Sequence, residues 1–85
     1  NAEQEEKVEI LGVLLAGYND GRKKTLFCIT VNLLKIHELR EVLRKIENRS
    51  DLETLTLKEK STFAAWLLKA AAEKNNIDLK LRKKK

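Results

Sequence analysis

The spacing of hydrophobic positions changes along this chain, and the change predicts strands followed by helices. Residues 8–18 are rich in aliphatic residues, and residues 25–32 alternate between two faces of an extended chain. Both segments are rich in β-branched residues, which is typical of strands. Between them, Asp20-Gly21 favours a tight turn, because glycine tolerates the positive φ that such a turn requires. We therefore predict a β-hairpin.

A helical period of 3.6 residues follows the hairpin. Residues 34–49 form the first predicted helix, and residues 57–75 form the second. Thr56 and Glu59 have the spacing of a capping box at the start of the second helix, and Asn75-Asn76 can end it. The predicted buried stripes are Ile36, Leu39, Val42, Leu43 and Ile46 in the first helix, and Phe63, Ala64, Leu67, Leu68 and Ala71 in the second.

Residues 77–82 alternate between apolar and polar again, which predicts a short strand at the edge of a sheet. The expected fold class is therefore α+β with the order ββααβ, in which two helices pack on one face of a three-stranded sheet. The last strand could pair beside either of the others. We expect one domain over residues 8–81, a frayed acidic N-terminus over residues 1–7, and a basic tail over residues 82–85.

Both ends of the chain carry unusual composition. Asn1-Ala2 resembles the remnant of a cleaved purification tag, and the chain contains no methionine, so we expect a piece of a larger protein about as readily as a whole one. Residues 80–85 contain five basic residues, which equals the formal net charge of +5. The rest of the chain is neutral, so the basic pI comes from a tail rather than from a basic fold.

Composition also limits the compartment and the class of protein. Cys28 is the only cysteine, so no disulfide can form within the chain, and we predict a reducing, cytoplasmic location. No apolar run approaches the roughly 20 residues that a membrane helix needs. We expect no association with a membrane.

Few residues offer catalytic or metal-binding chemistry. His37 is the only histidine and is expected on a solvated helix face, and Cys28 is expected to be buried in a strand. The glycines do not form a phosphate-binding loop. We find no pairing of nucleophile and base and no set of metal ligands, so we predict that the protein is not an enzyme and has no cofactor, metal or small-molecule substrate.

Two features instead indicate a protein interface. Trp66 falls well away from the buried stripe of its predicted helix, and tryptophan is enriched at interface hot spots. The first predicted strand is apolar on both faces, whereas the helices can cover only one. Leu11, Val13 and Leu15 would then form an outer surface suited to a protein partner or to a homodimer. For Trp66, the alternative is that another segment covers it.

A small nucleic-acid-binding module is the alternative function. The basic positions at the hairpin tip and in the tail could contact phosphates, and Trp66 could stack on bases. They are Arg22, Lys23, Lys24, Lys80, Arg82, Lys83, Lys84 and Lys85. The favoured prediction remains a small, non-catalytic accessory or protein-interaction domain, with the tail serving solubility.

Overall fold

The computed structural model describes residues 2–77, and they are helical, with no strand anywhere in this range. The predicted α+β fold with its three-stranded ββααβ sheet is therefore wrong. The elements are α1 (Ala2–Gly17), α2 (Lys24–Leu33), α3 (Ile36–Glu47), a single 3₁₀ turn (Leu52–Thr54) and α4 (Leu57–Lys74). The predicted last strand and the basic tail lie outside the described residues, apart from Ile77, which follows α4 without regular structure.

The first predicted strand is the C-terminal part of α1. Ile10 and Leu14, four residues apart, are its buried residues, and Leu11 and Leu15 pack beside them against the core. Spacing of three and four residues places all four side chains on one side of a helix. Alanine, glutamate and glutamine at the chain start are good helix formers, and α1 begins at Ala2 rather than after a frayed segment.

The second predicted strand is α2. Phe27 and Val31 are buried one turn apart, and Thr30 is buried between them in sequence. The Thr30 hydroxyl donates hydrogen bonds to the carbonyl oxygens of Leu26 (2.8 Å) and Phe27 (3.2 Å). These bonds satisfy a polar group that would be costly to bury unpaired, so a β-branched residue is accommodated in a helix.

The Asp20-Gly21 pair does form a turn, but the turn joins two helices. Gly21 has φ +95°, as predicted, and its N–H donates to Asn19 Oδ1 at 2.9 Å. The N–H of Arg22 donates to Asp20 Oδ1 at 3.0 Å. Side chains that accept from the backbone two residues later stabilise tight turns in any context, so this signal did not specify a hairpin.

The two predicted helices are confirmed as α3 and α4. Thr56 Oγ1 accepts the N–H of Glu59 at 3.1 Å, and Glu59 Oε1 accepts the N–H of Thr56 at 2.9 Å, which completes the predicted capping box. After α4, Asn76 takes φ +58°, the left-handed conformation expected of an asparagine at a helix end. The predicted stripes face the core, with Ile36, Leu43 and Phe63 only partly buried.

The helices surround one hydrophobic core. α1 packs on α2, α2 on α4, α4 on α3, and α3 on α1. Phe27, Leu34 and Leu68 are among its fully buried side chains. At the surface, Arg40 of α3 donates two hydrogen bonds of 2.6 Å to the carboxylate of Glu6 in α1. Hydrogen bonding to Arg40 lowers the pKa of Glu6.

Candidate functional site

Trp66 is the most exposed large hydrophobic side chain in residues 2–77, with 62% of its surface accessible. The prediction that it lies off the buried stripe of α4 is confirmed, and no described segment covers it. Its ring stacks on that of Phe63, with centroids 6.5 Å apart and an interplanar angle of 18°. Offset stacking of this kind holds a ring in place while leaving part of it accessible.

Arg49 extends this aromatic stack. Its guanidinium carbon lies 4.7 Å from the centroid of the Phe63 ring, within cation–π range. Asp51 orients the guanidinium, with Arg49 Nε donating to Asp51 Oδ1 at 2.5 Å. The same hydrogen bond lowers the pKa of Asp51 and raises that of Arg49. The stack of Arg49, Phe63 and Trp66 is therefore supported from the connection that precedes α4.

Beside Trp66, a groove of about 600 Å³ runs between α3 and α4. The two helices are antiparallel, because Arg49 beyond the end of α3 lies over Phe63 near the start of α4, whereas Lys74 near the end of α4 lies close to Glu41. We call this the α3–α4 groove. Its lining residues are His37, Glu38, Glu41, Val42, Lys45, Trp66, Leu67, Ala70, Ala71 and Lys74.

The lining residues follow helical spacing on both sides of the groove. On α4, Trp66, Ala70 and Lys74 are successive positions four residues apart, and the α3 side shows the same spacing from His37 to Lys45. The floor is apolar, with Val42, Leu67 and Ala71 buried or nearly so. Ala70 is exposed in the middle of the groove, where its small side chain leaves room for a partner.

The charged groups at the rim differ in how they are paired. Arg44 forms an ion pair with Glu41 and lowers the pKa of that carboxyl, with smaller contributions from Lys45 and Lys74. His37 Nε2 lies 3.3 Å from Glu38 Oε2. Lys45 and Lys74 also lie at the rim, and neither forms an ion pair within residues 2–77.

The surface predicted from Leu11, Val13 and Leu15 does not exist as one face. On a helix, Leu11 and Leu15 lie one turn apart, and both pack on the core. Val13 lies on the opposite side of α1 with 47% of its surface exposed. The correction follows from the period: residues two apart share a face on a strand but diverge by about 200° on a helix.

A second groove, of about 500 Å³, lies between α1 and α2. Val8, Leu11, Cys28, Ile29 and Leu33 contribute its apolar lining. Cys28 is partly rather than fully buried. Lys7 Nζ donates to the backbone oxygen of Asn32 at 3.3 Å across the groove. This contact ties the two helices together near one end.

The basic positions of the alternative function are only partly described. Arg22 and Lys23 lie in the connection between α1 and α2, and Lys24 is the first residue of α2. Lys80, Arg82, Lys83, Lys84 and Lys85 lie outside the described residues. The structure therefore does not place the two groups relative to each other.

The described part of the chain offers little for metal binding or membrane insertion. No three His, Cys, Asp or Glu side chains among residues 2–77 come together as a metal site. None of α1 to α4 has the length and apolar character needed to cross a bilayer. His37 is exposed and contacts only its neighbour Glu38 among charged groups of this range.

No family model, curated protein or solved structure matches this chain. Sequence reasoning found Trp66 but missed the α3–α4 groove beside it. Each side of the groove carries a sequence signal, the four-residue spacing from His37 to Lys45 and from Trp66 to Lys74. The register that brings the two rows together is a tertiary property and has no local signal.

Proposed function

We propose that this chain is a small, non-catalytic helical protein-interaction domain, and that it binds a protein partner with Trp66 and the α3–α4 groove. The exposure of Trp66 on a supported aromatic stack carries the proposal. Tryptophan and arginine are among the residues most enriched at interface hot spots. Here Trp66 is accessible, and Arg49 lies in the same stack.

The stack reduces the entropic cost of binding. A side chain that is ordered only on binding loses rotamer freedom, which costs about 0.5–1.5 kcal/mol for each such side chain. Trp66 already has a defined position against Phe63 in the unbound chain. Most of the remaining ring surface is therefore available to a partner without reorganisation.

The groove adds a concave surface next to this anchor. Its size of about 600 Å³ lies in the usual range for binding pockets, roughly 300–1,000 Å³. Trp66 belongs to its lining, so an inserted side chain would contact both the ring and the apolar floor formed by Val42 and Leu67. An anchor beside a groove is the arrangement in which amphipathic segments bind helical domains.

Two features predicted from the sequence belong to this function, and a third does not. An interaction domain with Trp66 at its surface is retained, and so is a cytoplasmic location, which rests on the single free Cys28. Self-association through a hairpin face is dropped, because the hairpin is absent from residues 2–77. Binding of nucleic acid becomes an outcome that the experiment distinguishes.

The test is affinity capture with three versions of the full chain: the unchanged protein, Trp66→Ala and Val13→Ala. Val13 is the matched control, because it is also an exposed apolar residue but lies on α1. A captured protein is identified, purified and titrated against each version by calorimetry. We expect Trp66→Ala to weaken binding by about 30-fold or more, as for a hot-spot residue, and Val13→Ala to leave it unchanged.

Equal affinity of all three versions for the purified partner would contradict the proposal. Capture that disappears on nuclease treatment and weakens steeply with salt would instead support the nucleic-acid function. Circular dichroism of each variant checks that the helices are intact. Since Trp66 is mostly exposed, its truncation should affect folding little.

A further inference from the structure

The α3–α4 groove has an uneven charge pattern. Glu41 is neutralised within the chain by its ion pair with Arg44, and Glu38 Oε2 lies 3.3 Å from His37 Nε2. Lys45 and Lys74 have no ion-pair partner of their own in the described range. A ligand entering the groove would therefore meet two available ammonium groups above an apolar floor.

The positions of the two lysines set the size of a matching ligand. Lys74 lies eight residues after Trp66, which is about 12 Å along α4 at 1.5 Å per residue. Lys45 lies on the α3 side, four residues after Glu41 and towards the Trp66 end. Ala70 lies midway between Trp66 and Lys74. About two turns of a bound helix would span this distance.

We infer that the α3–α4 groove binds an acidic amphipathic segment of a protein partner, most simply a helix of two or more turns. This inference rests on the proposed function. An apolar side chain of the segment would lie over Ala70 against the ring of Trp66, and flanking carboxylates would reach Lys45 and Lys74. Complementary charge of this kind sets the orientation of a bound helix and excludes basic competitors.

The experiment selects binders for the full 85-residue chain from a random library of 14-residue peptides. Enriched peptides without tryptophan are synthesised and titrated while the fluorescence of Trp66, the only tryptophan in the chain, is followed. We expect sequences with Asp or Glu flanking apolar residues three or four positions apart. We also expect a blue shift of the emission, because the ring leaves water.

Two double variants test the lysines. Lys45→Glu/Lys74→Glu should lower the affinity for the acidic peptides at least tenfold. Peptides with Lys in place of Asp and Glu should bind this variant more tightly than the acidic peptides do. Lys24→Glu/Lys69→Glu changes the net charge equally, and neither residue lines the groove, so it should retain binding. Lys45→Gln/Lys74→Gln repeats the test without adding negative charge, should the first variant unfold.

The outcomes separate this inference from the proposed function. Because Trp66→Ala has no tryptophan, its affinity for the peptides is measured by calorimetry. Neutral or basic peptides that bind the unchanged chain but not Trp66→Ala would overturn the acidic partner but leave the interaction site intact. Peptides indifferent to Trp66→Ala, or no enrichment at all, would count against both. A pool of single-stranded oligonucleotides that binds more tightly than any peptide and loses affinity in Lys45→Glu/Lys74→Glu would assign the lysines to phosphates instead.

Discussion

At the scale of single residues, Gly21 holds the turn between α1 and α2 at φ +95°, a conformation that residues with a Cβ rarely adopt. Asn19 Oδ1 accepts the N–H of Gly21, and Asp20 Oδ1 accepts the N–H of Arg22. This turn chemistry can link two helices as readily as two strands. Local signals therefore determined the conformation of this residue but not the elements on either side.

Gly21→Val should lower the free energy of unfolding by about 1–2 kcal/mol, because a β-branched residue is strained at φ +95°. Gly12→Ala is the control. Gly12 lies within α1, and a Cβ there meets no atom within 4 Å, so alanine should raise stability by roughly 0.5–1 kcal/mol. Urea denaturation measures both changes. A Gly21→Val protein as stable as the parent would contradict the strain argument.

Ser61 is a buried residue whose hydroxyl has no hydrogen-bond partner within residues 2–77. It lies near Asp20 and contributes a little to the lowered pKa of that carboxyl, behind the larger effect of the Arg22 N–H. No hydrogen bond joins the two side chains. Burying an unpaired hydroxyl is unfavourable, and serine is a poorer helix former than alanine.

Ser61→Ala should therefore stabilise the protein by about 1 kcal/mol. Thr30→Val is the comparison, because the Thr30 hydroxyl is buried but donates to two carbonyl oxygens, so its loss should destabilise. Thermal unfolding followed by circular dichroism shows whether each substitution raises or lowers the stability. Destabilisation in Ser61→Ala would show that the hydroxyl makes a stabilising hydrogen bond in solution.

At the scale of elements, α3 and α4 could be predicted because each has a clear apolar stripe, and α4 also has a complete capping box. α1 could not. Val8 and Val13 are exposed apolar residues that flank the buried stripe of Ile10 and Leu14 on its two sides, so the helical period is obscured and a two-sided strand fits equally well. Packing on the other helices decides between the two.

Thr56→Ala should lower the free energy of unfolding by about 1 kcal/mol, because it removes the hydroxyl that accepts the N–H of Glu59. Thr56→Ser keeps a hydroxyl and should remain close to the parent in stability. Chemical denaturation of the three proteins tests this. If alanine and serine variants behave alike, the hydroxyl of Thr56 contributes nothing to the start of α4.

At the scale of the whole molecule, the candidate site depends on tertiary structure more than on any local pattern. A helical wheel was sufficient to place Trp66 off the core stripe. The groove beside it needed the antiparallel register of α3 and α4, which brings Lys45 and Trp66 to one lining. The register of α3 against α4 is set by the packing of the whole core, so it cannot be predicted from either helix alone.

The ion pair between Glu6 and Arg40 connects α1 to α3 and should make stability depend on acid pH. Hydrogen bonding to Arg40 lowers the pKa of Glu6 in the folded state below its usual value of 4.5. The contribution is therefore present above about pH 4.5 and is lost as the pH falls through the folded pKa. Since the pair is exposed, salt should also weaken it.

As the pH is lowered from about 5 to about 2.5, we expect the free energy of unfolding to fall less in Glu6→Gln than in the parent protein. Some acid sensitivity should remain, because the pKa values of Asp20, Glu41 and Asp51 are also lowered. Urea midpoints across this range, with and without high salt, provide the measurement. Parallel pH curves for the two proteins would show that the pair adds nothing to folding.

The order in which the helices pack also governs how quickly the chain can fold. α1 packs on α2 and α3 on α4, so half of the helix pairings join neighbours in the sequence across short connections. Such low contact order is typical of folding in microseconds to milliseconds. The chain contains no proline, so the slow isomerisation of prolyl bonds is absent too. Temperature-jump relaxation should thus show a single fast phase, and a phase lasting seconds would mean that pairing of the distant helices limits the rate.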